Sequence, residues 1–268
     1  MDAPYFALLP LVGAITFACW LLSVLTRNYS WVDRAWSVVP PIYALYIAAA
    51  ADFADPRLDL MALLCLLWGA RLTFNFARKG GYNPRDEDYR WAVVRQLLGP
   101  RWFQVFNAVF IAPYQNLILY LLIAPMHIAW QQRGGPLGPL DLLLAALFLL
   151  FLAGEALADQ QQWDFHQHKA AAAARGQRLD PPFCTTGLFR YSRHPNFFCE
   201  IALWWVFYGF AVVASGDLLG WPILGALLLH LLFLGSTPFT ESITAKKYPD
   251  YRDYQRRTAR LIPRPQRR

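Results

Sequence analysis

The densest run of chemistry-bearing side chains is Gly187-Leu-Phe-Arg-Tyr-Ser-Arg-His-Pro-Asn-Phe-Phe-Cys-Glu200. Pro195 suits the first turn of a helix, where its missing N–H leaves no bond unmade. With a helix starting there, Arg193, Asn196, Phe197 and Glu200 fall at i, i+3, i+4 and i+7 and share one face. The backbone N–H groups of such a start, with Arg190 and Arg193 beside them, form a seat for a phosphate or pyrophosphate. A capped helix preceded by ordinary basic residues is the plainer alternative. No GxGxxG follows a strand, so a nucleotide would have to be held by helices and loops. No Ser-His-Asp or Cys-His pattern is present, and His194 is the one histidine in a setting that suits chemistry. The spacing of Cys19, Cys65, Cys184 and Cys199, and of His166 and His168, matches no metal site, so no metal is expected.

Further polar groups sit inside or at the edge of apolar runs, where ionisable side chains are expensive and mark a site. Asp33 lies in SWVDRAWSV and Arg71 in LLWGARLTF. Gln115 and Asn116 follow Pro113, and Glu155 and Asp159 are four apart, hence on one helix face. Each of them can be read as a group that merely caps, pairs or packs a bundle. Together they imply a water-accessible cavity between helices.

The elements that position these groups are membrane spans. Of 268 residues 56% are hydrophobic and only 16% charged, below the ~25% usual for soluble domains. Seven apolar runs are long enough to suggest crossing, at roughly 5–25, 38–51, 60–76, 103–130, 140–157, 197–214 and 221–234. The N-terminal run reads as a retained span. The expected fold is therefore an all-α integral membrane bundle of about seven transmembrane helices, a single polytopic domain over 1–268. Cytoplasmic loops at 78–101 and 164–193 and an interfacial tail at 241–268 complete it. All Lys and Arg except Arg57, Arg71 and Arg133 fall on the side holding the first, third and fifth loops and the C-terminus. By the positive-inside rule that side is cytoplasmic and the N-terminus is outside. The net charge of +7 is then a matter of topology and calls for no nucleic acid; anionic lipids or a phosphorylated cofactor suit it.

With these residues in view, the chain resembles the bacterial membrane proteins of unknown function that belong with the steroid 5-alpha-reductase family. The matching elements are Ser30-Trp-Val-Asp33 with Trp36, Leu67-Trp-Gly-Ala-Arg-Leu72, Glu87-Asp-Tyr-Arg-Trp91, Gln115, Glu155 with Asp159 and Gln161, the 187–200 segment, and Glu241 through Tyr248, Tyr251 and Tyr254 to Pro263. The resemblance implies a cytoplasm-facing cavity holding NADPH, in a bacterial inner membrane. The implied reaction is reduction of a C=C bond conjugated to a carbonyl in a lipophilic, steroid- or isoprenoid-like substrate. Carried over residue by residue, Asp33, Trp68 and Arg71 border the reacting groups. Asp159, Gln161, Asp164, Arg190, Arg193, His194, Asn196, Glu200, Glu241 and Tyr251 bind the cofactor. Asp33 stands where steroid reductases use a glutamate, and Trp68 where they use a tyrosine. An indole can donate one hydrogen bond but cannot supply a proton, so this position departs from the steroid reductases. Arg193-His194-Pro195 with Glu241 and Tyr251 is also similar to the membrane isoprenylcysteine and phospholipid methyltransferases, which use S-adenosylmethionine. A lipid-binding protein without catalysis is a third expectation.

Overall fold

The computed structural model describes residues 3–266. Among these the chain is helical and contains no strand, only an isolated bridge between Ser192 and Ala259. The helices are α1 (Pro4–Ala7), α2 (Leu9–Thr26), α3 (Trp31–Trp36), α4 (Val39–Ala50), α5 (Pro56–Arg78), α6 (Tyr89–Phe106), a π-helical segment (Asn107–Tyr114), α7 (Gln115–Leu122), α8 (Ala124–Gln131), α9 (Pro139–Ala174), α10 (Pro195–Ser215), α11 (Ile223–Lys247) and α12 (Tyr251–Arg257). Among the described residues six helical runs are long and apolar enough to cross a membrane, against the seven expected. The second expected span is α4, whose 12 residues rise only about 18 Å. Large apolar side chains such as Phe17, Leu25, Leu143 and Leu150 point outward from the helices, as a lipid-facing surface requires.

Two compact units divide the chain. The first comprises the residues up to Ala146 with Trp204–Leu228; the second comprises Leu147–Leu203 and the residues from Leu229 onward.

In the first unit, local chemistry sets where helices begin and bend. The Asp55 carboxylate accepts from the N–H groups of Arg57 and Leu58 and caps α5, with Pro56 at its first position. Gly99, at φ +73°, and Pro100 kink α6. Pro113 has no N–H and its ring crowds the preceding turn, so the backbone there widens into the π-helical segment. Gly69 sits where any Cβ would strike Pro41 and the Ser37 carbonyl, which lets α4 and α5 cross closely in the manner of small-residue membrane packing. The segments of the first and third loops are laced together. Arg34 donates to the carbonyls of Gly81, Asn83 and Asp86, Asn28 to those of Pro84 and Asp86, and the Tyr29 N–H to Glu87. These segments therefore share one end of the unit, in keeping with the charge partition.

The buried carboxylate of Asp141 receives a forked pair of bonds from Arg57, 2.7 and 2.9 Å long, and one from the Gly138 N–H. Here the two arginine-poor connections are clamped to each other. Removing one partner leaves the other charge buried and unpaired. Arg57→Leu should destabilise the protein by roughly 3 kcal/mol or more, read as an earlier midpoint in SDS titration of mixed micelles. The double variant Arg57→Leu/Asp141→Leu should recover part of the loss.

Candidate functional site

Ten of the expected site residues fall in the second unit. Helices α9 and α10 run antiparallel beside each other there: Gly154 lies where a Cβ would be 3.0 Å from the Cys199 Sγ, and further along Asp159 faces Asn196. The Asn196 amide donates to the Asp159 carboxylate at 3.5 Å. Asp159 and Glu200 are both buried, on adjoining helices, as the shared-face spacing from Asn196 to Glu200 requires. Two carboxylates and a carboxamide thus line one helical wall, a set suited to hydroxyl and amide groups. Asp164 is outside this wall: it is exposed and accepts from Gln160 at 2.8 Å. Gln161 works on the backbone, its side-chain oxygen accepting from the Leu188 N–H at 2.8 Å. Gly187, at φ +60°, makes room for that contact, since any Cβ would collide with the Gln161 amide.

The Arg-His-Pro element has a different set of partners. Arg193 forms a forked ion pair with Glu241 (2.6 and 3.0 Å) and donates to the carbonyls of Gln255 and Thr258. His194 Nε2 lies 2.9 Å from the same carboxylate and its ring stacks on Phe197. Gln255 donates to Glu241 at 2.8 Å. The N–H groups of Arg193 and His194 go to the carbonyls of Ala259 and Arg260, and the Ser192 hydroxyl to that of Leu261. The anion seat expected at this helix start is correspondingly narrower, because the C-terminal segment takes these donors. Arg190 remains exposed beside it. Tyr251 is buried edge-on against Phe183 (4.9 Å) and near Tyr254, in an aromatic cluster that docks the tail. Lys169 joins this edge by donating to the Pro182 carbonyl and pairing with the Tyr248 hydroxyl, which lowers the pKa of Tyr248.

The remaining three lie in the first unit. Trp68 is fully buried, edge-on to Trp204 at 4.9 Å, and Arg71 is one helical turn further along α5 and partly exposed. Asp33 accepts from the Trp91 indole at 3.2 Å. Burial holds its carboxyl above the usual range; nearby Arg90 opposes the shift and Asp88 adds to it. Residues 87–91, one of the blocks that carry the resemblance, build structure here: Asp88 caps α6 and pairs with Arg90, and Glu87 pairs with Arg95.

Sequence reasoning missed three further polar contacts: the Arg57–Asp141 clamp, the Lys169–Tyr248 contact, and a buried bond from the Asn107 amide to Ser23. Pro113 followed by Gln115-Asn116 was the visible signal for the last of these.

The family model described as a protein of unknown function, DUF1295, matches residues 19–258. An uncharacterized protein of Schizosaccharomyces pombe is 42% identical over 264 residues, covering 91% of this chain and 75% of the relative. That relative is fungal, whereas the resemblance in the sequence had pointed to bacterial proteins. No solved structure matches.

Glu241 holds two cationic partners and the tail in one place. Glu241→Ala should release the C-terminal segment, so that trypsin cuts at Arg252, Arg256 and Arg257 several times faster in nanodiscs; an unchanged rate would separate Glu241 from docking. For Asp33, the raised pKa means its stabilising contribution is full below the free value of 3.8 and is lost as pH rises through the raised one. The thermal midpoint of Asp33→Asn should therefore lack the alkaline-going decline that the parent shows over that window.

Proposed function

The chain belongs to the DUF1295 family, and from that premise we propose that it is a membrane reductase using NADPH on a C=C bond conjugated to a carbonyl in a lipophilic substrate. The facing pair Asn196 and Asp159, with buried Glu200 beside them, carries this assignment. Carboxylates accept from ribose hydroxyls, and a carboxamide both donates and accepts, so this wall suits the sugar and amide groups of a dinucleotide. Exposed Arg190, with the helix start at Asn196, suits its phosphates. Arg193, His194, Glu241 and Tyr251 act one step back: they fix the start of α10 and the tail against it.

NADPH, when bound, supplies hydride for the β carbon of the enone. The protein's share is to stabilise the negative charge that develops on the carbonyl oxygen and to deliver a proton. Asp33 is the group for that share. Burial shifts its carboxyl towards the protonated form, which can donate to the oxygen, an effect worth about 3–4 kcal/mol for one good donor. Arg71, partly exposed, borders the substrate in this proposal, and Trp68, packed on Trp204 one turn earlier, supports it from behind. The relation to the steroid 5-alpha-reductases, a bacterial inner membrane, an outside N-terminus and a cytoplasmic cofactor side belong to the same proposal. Methyl transfer from S-adenosylmethionine ranks second, because its distinguishing Arg-His-Pro element is engaged by Glu241 and the C-terminal segment.

Binding tests the proposal directly. NADPH at a hundred times its dissociation constant should stabilise the detergent-purified protein by about 2.7 kcal/mol, and S-adenosylmethionine should not. Asn196→Ala should weaken NADPH binding about tenfold, roughly the loss of one charge-assisted hydrogen bond. Asp33→Asn should keep NADPH binding and lower enone turnover. Stabilisation by S-adenosylmethionine alone would replace the reductase with the methyltransferase.

A further inference from the structure

A second polar cluster lies wholly within the first unit, around the π-helical segment. The Asn107 amide donates to the Ser23 hydroxyl at 2.8 Å, and Cys19 lies buried one turn earlier on α2. Asn116 donates to the Ala112 carbonyl at 2.9 Å, a group of the widened backbone. Tyr43, from α4, packs edge-on against Tyr120, one turn beyond Asn116 on α7, with ring centroids 6.2 Å apart. Asn107, Asn116, Gln115 and Tyr43 are at most 5% exposed. Yet the Tyr43 hydroxyl, the Asn107 and Asn116 side-chain oxygens and the Gln115 amide nitrogen have no hydrogen-bond partner.

Unmatched polar atoms in an apolar bundle are costly, and a molecule that both donates and accepts relieves part of that cost by serving an acceptor and a donor at once. The amide oxygens can only accept, so a ketone or an ether leaves them unmatched. One hydroxyl can serve the Asn116 oxygen and the Tyr43 hydroxyl together, while the Asn107 oxygen and the Gln115 amide nitrogen are left to further partners. Val32, Ile47, Ile111 and Leu119, all buried, contribute apolar surface to the helices that carry the cluster. A π-helical turn inside a span is also a frequent mark of a binding site.

We propose that this cluster is a binding site for the hydroxyl group of a neutral, lipophilic alcohol. The hydroxyl donates to the Asn116 oxygen and accepts from Tyr43, while its apolar body lies among the surrounding helices. The assignment does not rest on the reductase reading, since it uses none of the residues assigned to NADPH or to the carbonyl, and it holds for a substrate, a product or a regulatory lipid alike.

The test is equilibrium binding of tritiated 1-hexadecanol to the full chain in nanodiscs, with hexadecyl methyl ether and hexadecane as competitors. The alcohol should compete roughly tenfold better than the ether, the value of one or two buried hydrogen bonds. Tyr43→Phe, which keeps the ring, should remove most of that preference, and Asn116→Leu all of it. NADPH binding, measured on the same samples, should be unchanged in Tyr43→Phe, which separates this site from the cofactor wall. Equal competition by ether and alcohol would overturn the proposal and leave water as the occupant of the cluster. So would an alcohol preference that survives Tyr43→Phe in a protein with an unaltered thermal midpoint.

Discussion

Hydrocarbon offers a polar group no partner, and every feature of this chain answers to that constraint. Backbone N–H and C=O groups are satisfied within helices, so the described residues contain no sheet. Side chains that cannot be satisfied locally are drawn together. Arg57 and Asp141 close one such account between them, with an additional bond from Gly138. Arg34 and Asn28 close another by taking up the carbonyls of residues 81–86, which no helix could satisfy. Where the constraint is left incompletely met, around Asn107 and Asn116, the unmatched atoms point to a ligand.

The same constraint explains the construction of the second unit. Helix α10 begins with a proline after two basic residues, an arrangement that leaves N–H groups and positive charge in search of acceptors. Glu241 and the carbonyls of residues 255–261 supply them. The C-terminal segment is thus part of the structure of the helix start and not an appendage to it. Tyr254 donates to the Phe189 carbonyl, and Tyr251 packs on Phe183, so aromatic burial adds to the ionic anchor. What remains beside this anchor is the wall of Asp159, Asn196 and Glu200, with Arg190 exposed. Rigid supports behind a small polar set are what cofactor positioning needs.

Helix identity and membrane character were determined by the sequence alone, because length, apolarity and proline position act locally. Six of the seven expected spans, the start of α10 at Pro195 and the shared face of Asn196 and Glu200 could be read there, whereas the second expected span is the short α4. So could the grouping of the first and third loops, since positive charge is partitioned by the membrane before any packing occurs. Which polar residues face one another was decided only by tertiary structure. A forked arginine looks identical in sequence whether it binds a phosphate or a carboxylate 48 residues away, and Arg193 has the carboxylate. A tryptophan in a span looks the same as a substrate wall or as core, and Trp68 has Trp204 against it. Partner choice depends on the crossing of distant helices, and side-chain spacing along one helix carries no information about it.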